Sequence, residues 1–321
     1  MKQIILPALL LCFLAPSLAD CQPQITLRKS FIDSFKNRVT IDAKYNVWYS
    51  HKKPNAADKD GDIHCSGYDK KIGLPMVAEI MNAKDHIDAM DLFVQHEGKG
   101  DPGNALLKLT GVWRIWPEHL GKEDFVQGMQ LPLETIQKKT TNPDHVFEIH
   151  PVTQLEDFDL TSSLMNIEGY QPKDIWSVFG QIKNKSFTIT PGKKMISFST
   201  KQIGNNYIDL WARVDEFWKV EDGAMAYCTI LDSDFDPEKD KIADKLVHKK
   251  TRVVFVTGSE PYKQAAKKTG KHFIHILAIP RIDLALIAWR VQNAKQKPEV
   301  LNWGMPVEFI AAGIIENQEN D

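Results

Sequence analysis

The chain has 321 residues, 43% of them hydrophobic and 26% charged, with a formal net charge of -2. That length sets a prior of about two domains, each large enough to bury its own core, and the ordinary composition excludes extended disorder. The near-neutral balance leaves no global basic footprint for nucleic acid, and the lysine pairs (Lys70-Lys71, Lys138-Lys139, Lys193-Lys194, Lys249-Lys250, Lys267-Lys268) are dispersed as solvated surface.

Residues 1–19 read as an export signal: one lysine, an apolar stretch too short to span a bilayer, and a small-residue end at Ser17-Leu18-Ala19. Cleavage after Ala19 is expected. Lipid anchoring at Cys21 is the minor alternative, because Asp20 is a poor residue before a lipidated cysteine. Either way the protein is expected in the periplasm or outside the cell. No later apolar run reaches the ~20 residues that a membrane helix needs. The mature chain keeps Cys21, Cys65 and Cys228, too few for a disulfide framework; Cys65 and Cys228 read as small buried hydrophobes on strands.

From Val39 to Lys52 β-branched and aromatic residues recur at every second position, the mark of a half-buried strand. The turn DKDG (Asp58 to Gly61) leads to a second strand over Asp62 to Tyr68, and LPMVAEIMN to a third. AKDHIDAMDLFVQH places Ile87, Met90 and Phe93 at helical spacing, and GKGDPGN ends that helix. LLKLTGVWRIWP and HVFEIHPVTQL supply strands four and five. Three strands, a helix and two strands is the element order of an OB-type five-stranded barrel.

The order recurs in weaker form. YIDLWARVDEFWKVE, the turn Glu221-Asp222-Gly223, AMAYCTIL and TRVVFVTG give three strands, EPYKQAAKKTG a short helix ended by Gly270, HFIHILAIPRIDLALIAW a fourth strand running past Pro280, and MPVEFIAAGII a fifth. The expected fold is therefore mainly β with short helices: two tandem OB-like barrels, read as a diverged internal duplication. The expected limits are an N-terminal domain over 35–156, a connecting helix and hairpin over 157–206 around Trp176, Phe179 and Pro191-Gly192, and a C-terminal domain over 207–316.

Asp58, Asp60 and Asp62 alternate like a calcium loop, but such a loop needs glycine at its sixth place and glutamate at its twelfth, where Ile63 and Asp69 stand. The run Asp232 to Asp236 is closed by Pro237 and fails too. Strand alternation is more informative: residues two apart face the same way, so Asp62 and His64 share one face and Glu148 and His150 another. Glu79 ends the apolar part of the third strand, and Glu118 and His119 end the fourth. Histidine and carboxylate together suit a divalent transition metal, with His64, Glu148 and His150 as the first ligand candidates and a neighbouring carboxylate as base for a metal-bound water. A structural acid–histidine network and a set of faces that never meet are the other two readings. Ala224, Ala226 and the run EFIA stand at the corresponding places of the second half, which points to a specialised role for the first.

DGDIH, PMVAEIMNA, LTGVWRIWPEH and FEIHPV, in this order, resemble a group of exported, mostly bacterial proteins of uncharacterised function. The likeness covers residues 38–155. It implies a shared pattern of Asp62, His64, Glu79, Glu148 and His150 within one OB-like domain, and no activity.

There is no GxSxG, Walker loop, GxGxxG, HExxH or CxxC. The expected function is an exported binding or structural module for an oligosaccharide, oligonucleotide or peptide, nucleic acid being disfavoured by charge, with Trp113, Trp116, Trp48 or Tyr68 as stacking surfaces. The alternative is a metal-dependent phosphoesterase or nuclease using the acid–histidine set.

Overall fold

The structure, a computed structural model, describes residues 22–55, 59–98, 106–131, 139–267 and 271–315. The leader, Cys21, Asp58, the Asp-Pro-Gly loop after the first barrel's helix and Gly270 lie outside the described residues. Sixteen strands are present among them: β1 (Gln24–Arg28), β2 (Thr40–Ser50), β3 (Ile63–Tyr68), β4 (Pro75–Ile80), β5 (Leu107–His119), β6 (Phe125–Val126), β7 (His145–Leu155), β8 (Phe158–Asp159), β9 (Lys173–Asp174), β10 (Phe187–Pro191), β11 (Met195–Thr200), β12 (Ile208–Val220), β13 (Gly223–Leu231), β14 (Leu246–Phe255), β15 (His272–Ile282) and β16 (Val307–Ile314). Five short α-helices accompany them: α1 (Lys29–Phe35), α2 (Ile87–His96), α3 (Ile175–Lys183), α4 (Glu260–Ala266) and α5 (Leu284–Asn293).

Two closed five-stranded barrels form. The first runs β2–β3–β4–β7–β5 and back to β2, the second β12–β13–β14–β16–β15 and back to β12. In each, the third and fifth strands pair in parallel and every other pair is antiparallel, with one helix, α2 or α4, between strands three and four. That is the OB arrangement, and closure removes the exposed sheet edges. Side chains alternate as the pleat requires: on β7, Phe147 and Ile149 enter the apolar core, while Glu148 and His150 face outward.

Three features depart from the sequence reading. The apolar run after Pro280 does not stay extended: β15 ends at Ile282, and Asp283 accepts a hydrogen bond from Leu286 N at 2.9 Å to cap α5. β14 starts at Leu246, several residues before Thr251. The hairpin β10–β11 between the barrels pairs with β1 near the start of the chain, and β6 adds on β1's other side, making a third sheet.

The barrels meet side on. Arg114 of β5 donates from Nε to Pro280 O at 3.0 Å, and Arg281 of β15 donates from Nη1 to Trp113 O at 2.9 Å. Each arginine thus bonds to the carbonyl just before the other. Within its own barrel each pairs with the glutamate directly opposite, Arg114 with Glu148 and Arg281 with Glu308. Reciprocal contacts of this kind are what a twofold relation between two similar units produces.

Candidate metal centre

The Arg114–Glu148 and Arg281–Glu308 pairs fix how the two barrels correspond. Carrying that register across the parallel β4–β7 and β14–β16 pairs, and then across β3–β4 and β13–β14, sets His150 against Ile310, Glu79 against Val254 and His64 against Met225. The second barrel therefore has an apolar trio, all in one buried cluster, where the first has an acid and two histidines. The match falls on Met225 rather than on Ala224 or Ala226, because the sheet pairing sets the register one residue off the sequence alignment.

In the first barrel the adjacent strands β3, β4 and β7 bring the ligand candidates together. His64 and Glu79 are direct cross-strand partners, and Asp62 lies two residues before His64 on the same side. His64 Nε2 is 3.4 Å from Asp62 Oδ1 and 3.6 Å from Glu79 Oε2, and His150 Nδ1 is 3.1 Å from Glu79 Oε2. These four atoms are buried, and none has a hydrogen-bond partner. His150 Nδ1 and Glu79 Oε2 are close enough for such a bond, so it is alignment that fails. Four ligands at about 2.0–2.2 Å from a zinc-class ion lie roughly 3.3–3.6 Å from one another along the edges of a tetrahedron; the three separations above are close to such edges, Asp62, Glu79 and His150 each offer a ligand atom within 4.8 Å of the others, and His64 reaches that trio through Asp62 and Glu79.

The electrostatics match a cation site. Burial pushes the Asp62 and Glu79 carboxyls above their usual range. Burial also opposes charge on His64, yet Glu79 and Asp62 override it and raise the imidazole to about 10. A field that holds a proton on His64 favours any cation placed among the same groups.

Glu148, expected as a ligand, is differently engaged. Its Oε2 takes a charged bond from Arg114, and its Oε1 lies 3.1 Å from His145 Nε2. Burial pushes its carboxyl up, but Arg114 and the two histidines more than offset this and hold it well below the usual carboxylate range. It stands 3.7 Å from His150 Nδ1, beside the cluster rather than in it. Glu118 pairs with Arg114 at 3.0 Å. His119 stacks on His145 with ring centroids 4.8 Å apart, and burial followed by the His145 charge lowers its imidazole to about 4. His119, His145 and Glu148 do offer three mutually close ligand atoms, but both Glu148 oxygens already have donors, so this second group is a satisfied network.

The stacking candidates divide. Trp113 and Trp116 are 0% and 1% exposed and belong to the core, so neither offers a face to a ligand; Trp113 is covered by the Arg281 guanidinium at 3.6 Å. Trp48 and Tyr68 are half-buried and lie face to face, 6.4 Å apart. Tyr207 is a site residue that the sequence does not reveal. Its hydroxyl is 2.9 Å from His150 Nε2 and donates to Asp62 Oδ2 at 3.5 Å. It lies at the start of the second barrel, and no periodicity links it to a site so far away. Arg114 carries a fainter signal, since alternation along β5 sets it on the side of Glu118; His145 carries none, because it is in step with the core-facing Phe147 and Ile149.

Comparison with protein-family models and with curated proteins finds no match for the chain. Among the described residues no helix is long and apolar enough to cross a membrane.

Proposed function

We propose that the protein is an exported binding or structural module whose first barrel carries a closed divalent-metal centre formed by Asp62, His64, Glu79 and His150. One observation carries the reading: Asp62, Glu79 and His150 offer ligand atoms within 4.8 Å of one another, His64 Nε2 lies 3.4 and 3.6 Å from the first two, and the four facing atoms are buried without a hydrogen-bond partner. The imidazole–carboxylate set suits zinc and its first-row neighbours. Four protein ligands complete a tetrahedral shell, the structural type, whereas catalytic zinc keeps a position open. Glu148, the carboxylate best placed to act as a base, is held by Arg114. Export rests on residues 1–19. The half-buried Trp48–Tyr68 pair is the surface for a sugar or peptide ligand.

A hydrolase is the second reading, favoured by one detail: the His64 side chain keeps 12% of its surface in solvent. Metal analysis of the purified mature protein, with His64→Ala and His150→Ala alongside, tests the centre. About one equivalent is expected in the wild type and little in either variant. Chelation is expected to lower the melting temperature by roughly 3 °C or more, as loss of about 2.7 kcal/mol of linked binding energy requires. No bound metal, no melting shift and unchanged folding in both variants would refute it. Metal-dependent turnover of a generic phosphodiester would replace the module reading with the hydrolase.

A further inference from the structure

The ligands come from the first barrel, but the group that holds two of them in place comes from the second. Tyr207 lies immediately before β12, with its side chain fully buried in the apolar cluster between the barrels, among Met81 and Val112 of one and Met225, Val254 and Ile310 of the other. Its hydroxyl touches the far side of two ligand candidates: His150 through Nε2 at 2.9 Å, and Asp62 through Oδ2 at 3.5 Å. The opposite atoms of those residues, Nδ1 and Oδ1, face the centre.

Only one proton arrangement satisfies all of these atoms with a cation bound. His150 Nδ1 turns its lone pair to the cation, so its proton sits on Nε2 and is donated to the Tyr207 oxygen; the Tyr207 proton is donated to Asp62, which leaves Oδ1 free to coordinate. One phenol therefore sets the tautomer of the histidine and the orientation of the carboxylate. The ring also packs edge-on against His150, with centroids 5.4 Å apart at 87°, which limits rotation of the imidazole.

We propose that Tyr207 is the positioning residue of the metal centre and that it makes the centre a lock between the barrels, so that metal occupancy and docking of the second barrel are linked. This rests on the metal reading above. Linkage is reciprocal: if the docked second barrel raises metal affinity, bound metal holds the second barrel docked by the same factor.

The counterpart contact at the other end of the interface needs no metal. There Asp222, in the turn between β12 and β13, accepts from Val39 N at 3.1 Å and Thr40 N at 2.8 Å, at the start of β2. The start of each barrel's first strand is thus pinned by an aspartate at the β-hairpin turn of the other. At Asp222 the Val39 and Thr40 amides, the Thr40 hydroxyl and the Arg38 guanidinium satisfy the carboxylate; at Asp62 a phenol donates to Oδ2, and the second oxygen is left facing the cluster.

The test uses the full mature chain, wild type and Tyr207→Phe, titrated with Zn(II) and Co(II), with Tyr170→Phe as a control because Tyr170 packs on Tyr207 at 5.5 Å. Tyr207→Phe is expected to bind metal about 10- to 100-fold more weakly, the usual effect of losing a residue that orients a ligand. It should also shift the visible bands of bound Co(II), and Tyr170→Phe should do neither. In the wild type, metal is expected to slow hydrogen exchange at the first β12 amides, 208–210, and Tyr207→Phe to abolish that slowing. Matching melting curves of the metal-free wild type and Tyr207→Phe show that the phenylalanine ring preserves the packing. If they differ, Tyr207→Leu must reproduce the loss of affinity, or the lock is rejected. Wild-type protein that binds metal while Tyr207→Phe keeps its affinity, spectrum and exchange pattern overturns the lock and leaves the metal centre standing. Failure of the wild type to bind either ion overturns both.

Discussion

Glu79 and Glu148 are buried carboxylates on neighbouring strands, and their surroundings separate them. Glu148 has a guanidinium and an imidazole within bonding distance, so its charge is compensated. Glu79 has two imidazoles whose nearest nitrogens are not aligned to donate to its Oε2. The first arrangement is satisfied by its protein partners, and the second leaves Glu79 Oε2 without a donor. His119 is a third case, a neutral ring kept neutral. Its imidazole is lowered from 6.5 to about 4 by burial and by His145, so in this range the unfolded chain takes up a proton that the folded chain refuses. Its contribution to stability is fully present above about pH 6.5 and is lost as pH falls toward 4. Denaturant midpoints of wild type and His119→Asn at pH 7.5, 6 and 5 check this: the difference should move in favour of the variant as pH drops, and a constant difference would count against it. Alternation along strands makes Asp62, His64, Glu148 and His150 visible in the sequence itself, because two-residue spacing fixes a shared face. It does not say which of them already have partners. Arg114 meets Glu148 across 34 positions, and Tyr207 meets Asp62 across 145, and no local pattern carries that information.

Strands are legible in the sequence wherever one face meets solvent. Where a run is apolar throughout, the period is lost: LALIAW after Pro280 reads as strand or helix equally well although the helix leaves Trp289 exposed, and only the capping Asp283 marks the change. β1 escapes a sequence reading for another reason, since its partner β11 lies at the far end of the connecting segment, with Thr26 and Ser197 bonding at 2.8 Å. Glycines show how tightly these elements are fitted. A Cβ on Gly67 of β3 would lie 2.3 Å from Asn46 O and 2.6 Å from the Tyr45 ring, whereas one on Gly180 of α3 would meet nothing within 4 Å. Gly67→Ala is expected to cost roughly 1–3 kcal/mol through overpacking, and Gly180→Ala to gain about 0.5–1 kcal/mol from helix propensity. Thermal melts of the two variants should therefore shift in opposite directions; shifts of the same sign would mean that the strand contact is not what constrains β3.

At the scale of the molecule, two barrels of one topology differ across a shared interface, one presenting a polar face and the other an apolar one. Repeated element order and the Asp-Gly turns make the pair of barrels legible; the side-on docking is not, because it depends on Arg114 and Arg281 reaching across to each other's strand. Parting the barrels would break both of these bonds and expose the apolar cluster between them, so the halves are expected to unfold together. The two sealed cysteines provide the means to check. Cys65 and Cys228 are free, fully buried and on the inner faces of β3 and β13, one in each barrel, and burial pushes both thiols up. In the closed molecule neither is a nucleophile that a reagent can reach. An alkylating agent therefore reacts only during an opening event, and mass spectrometry of the labelled peptides times that event separately for each half. Equal labelling rates are the expected result, and a Cys228 that labels far faster than Cys65 would show the second barrel opening alone. The molecule thus holds an internal clock for each barrel that needs no engineered probe.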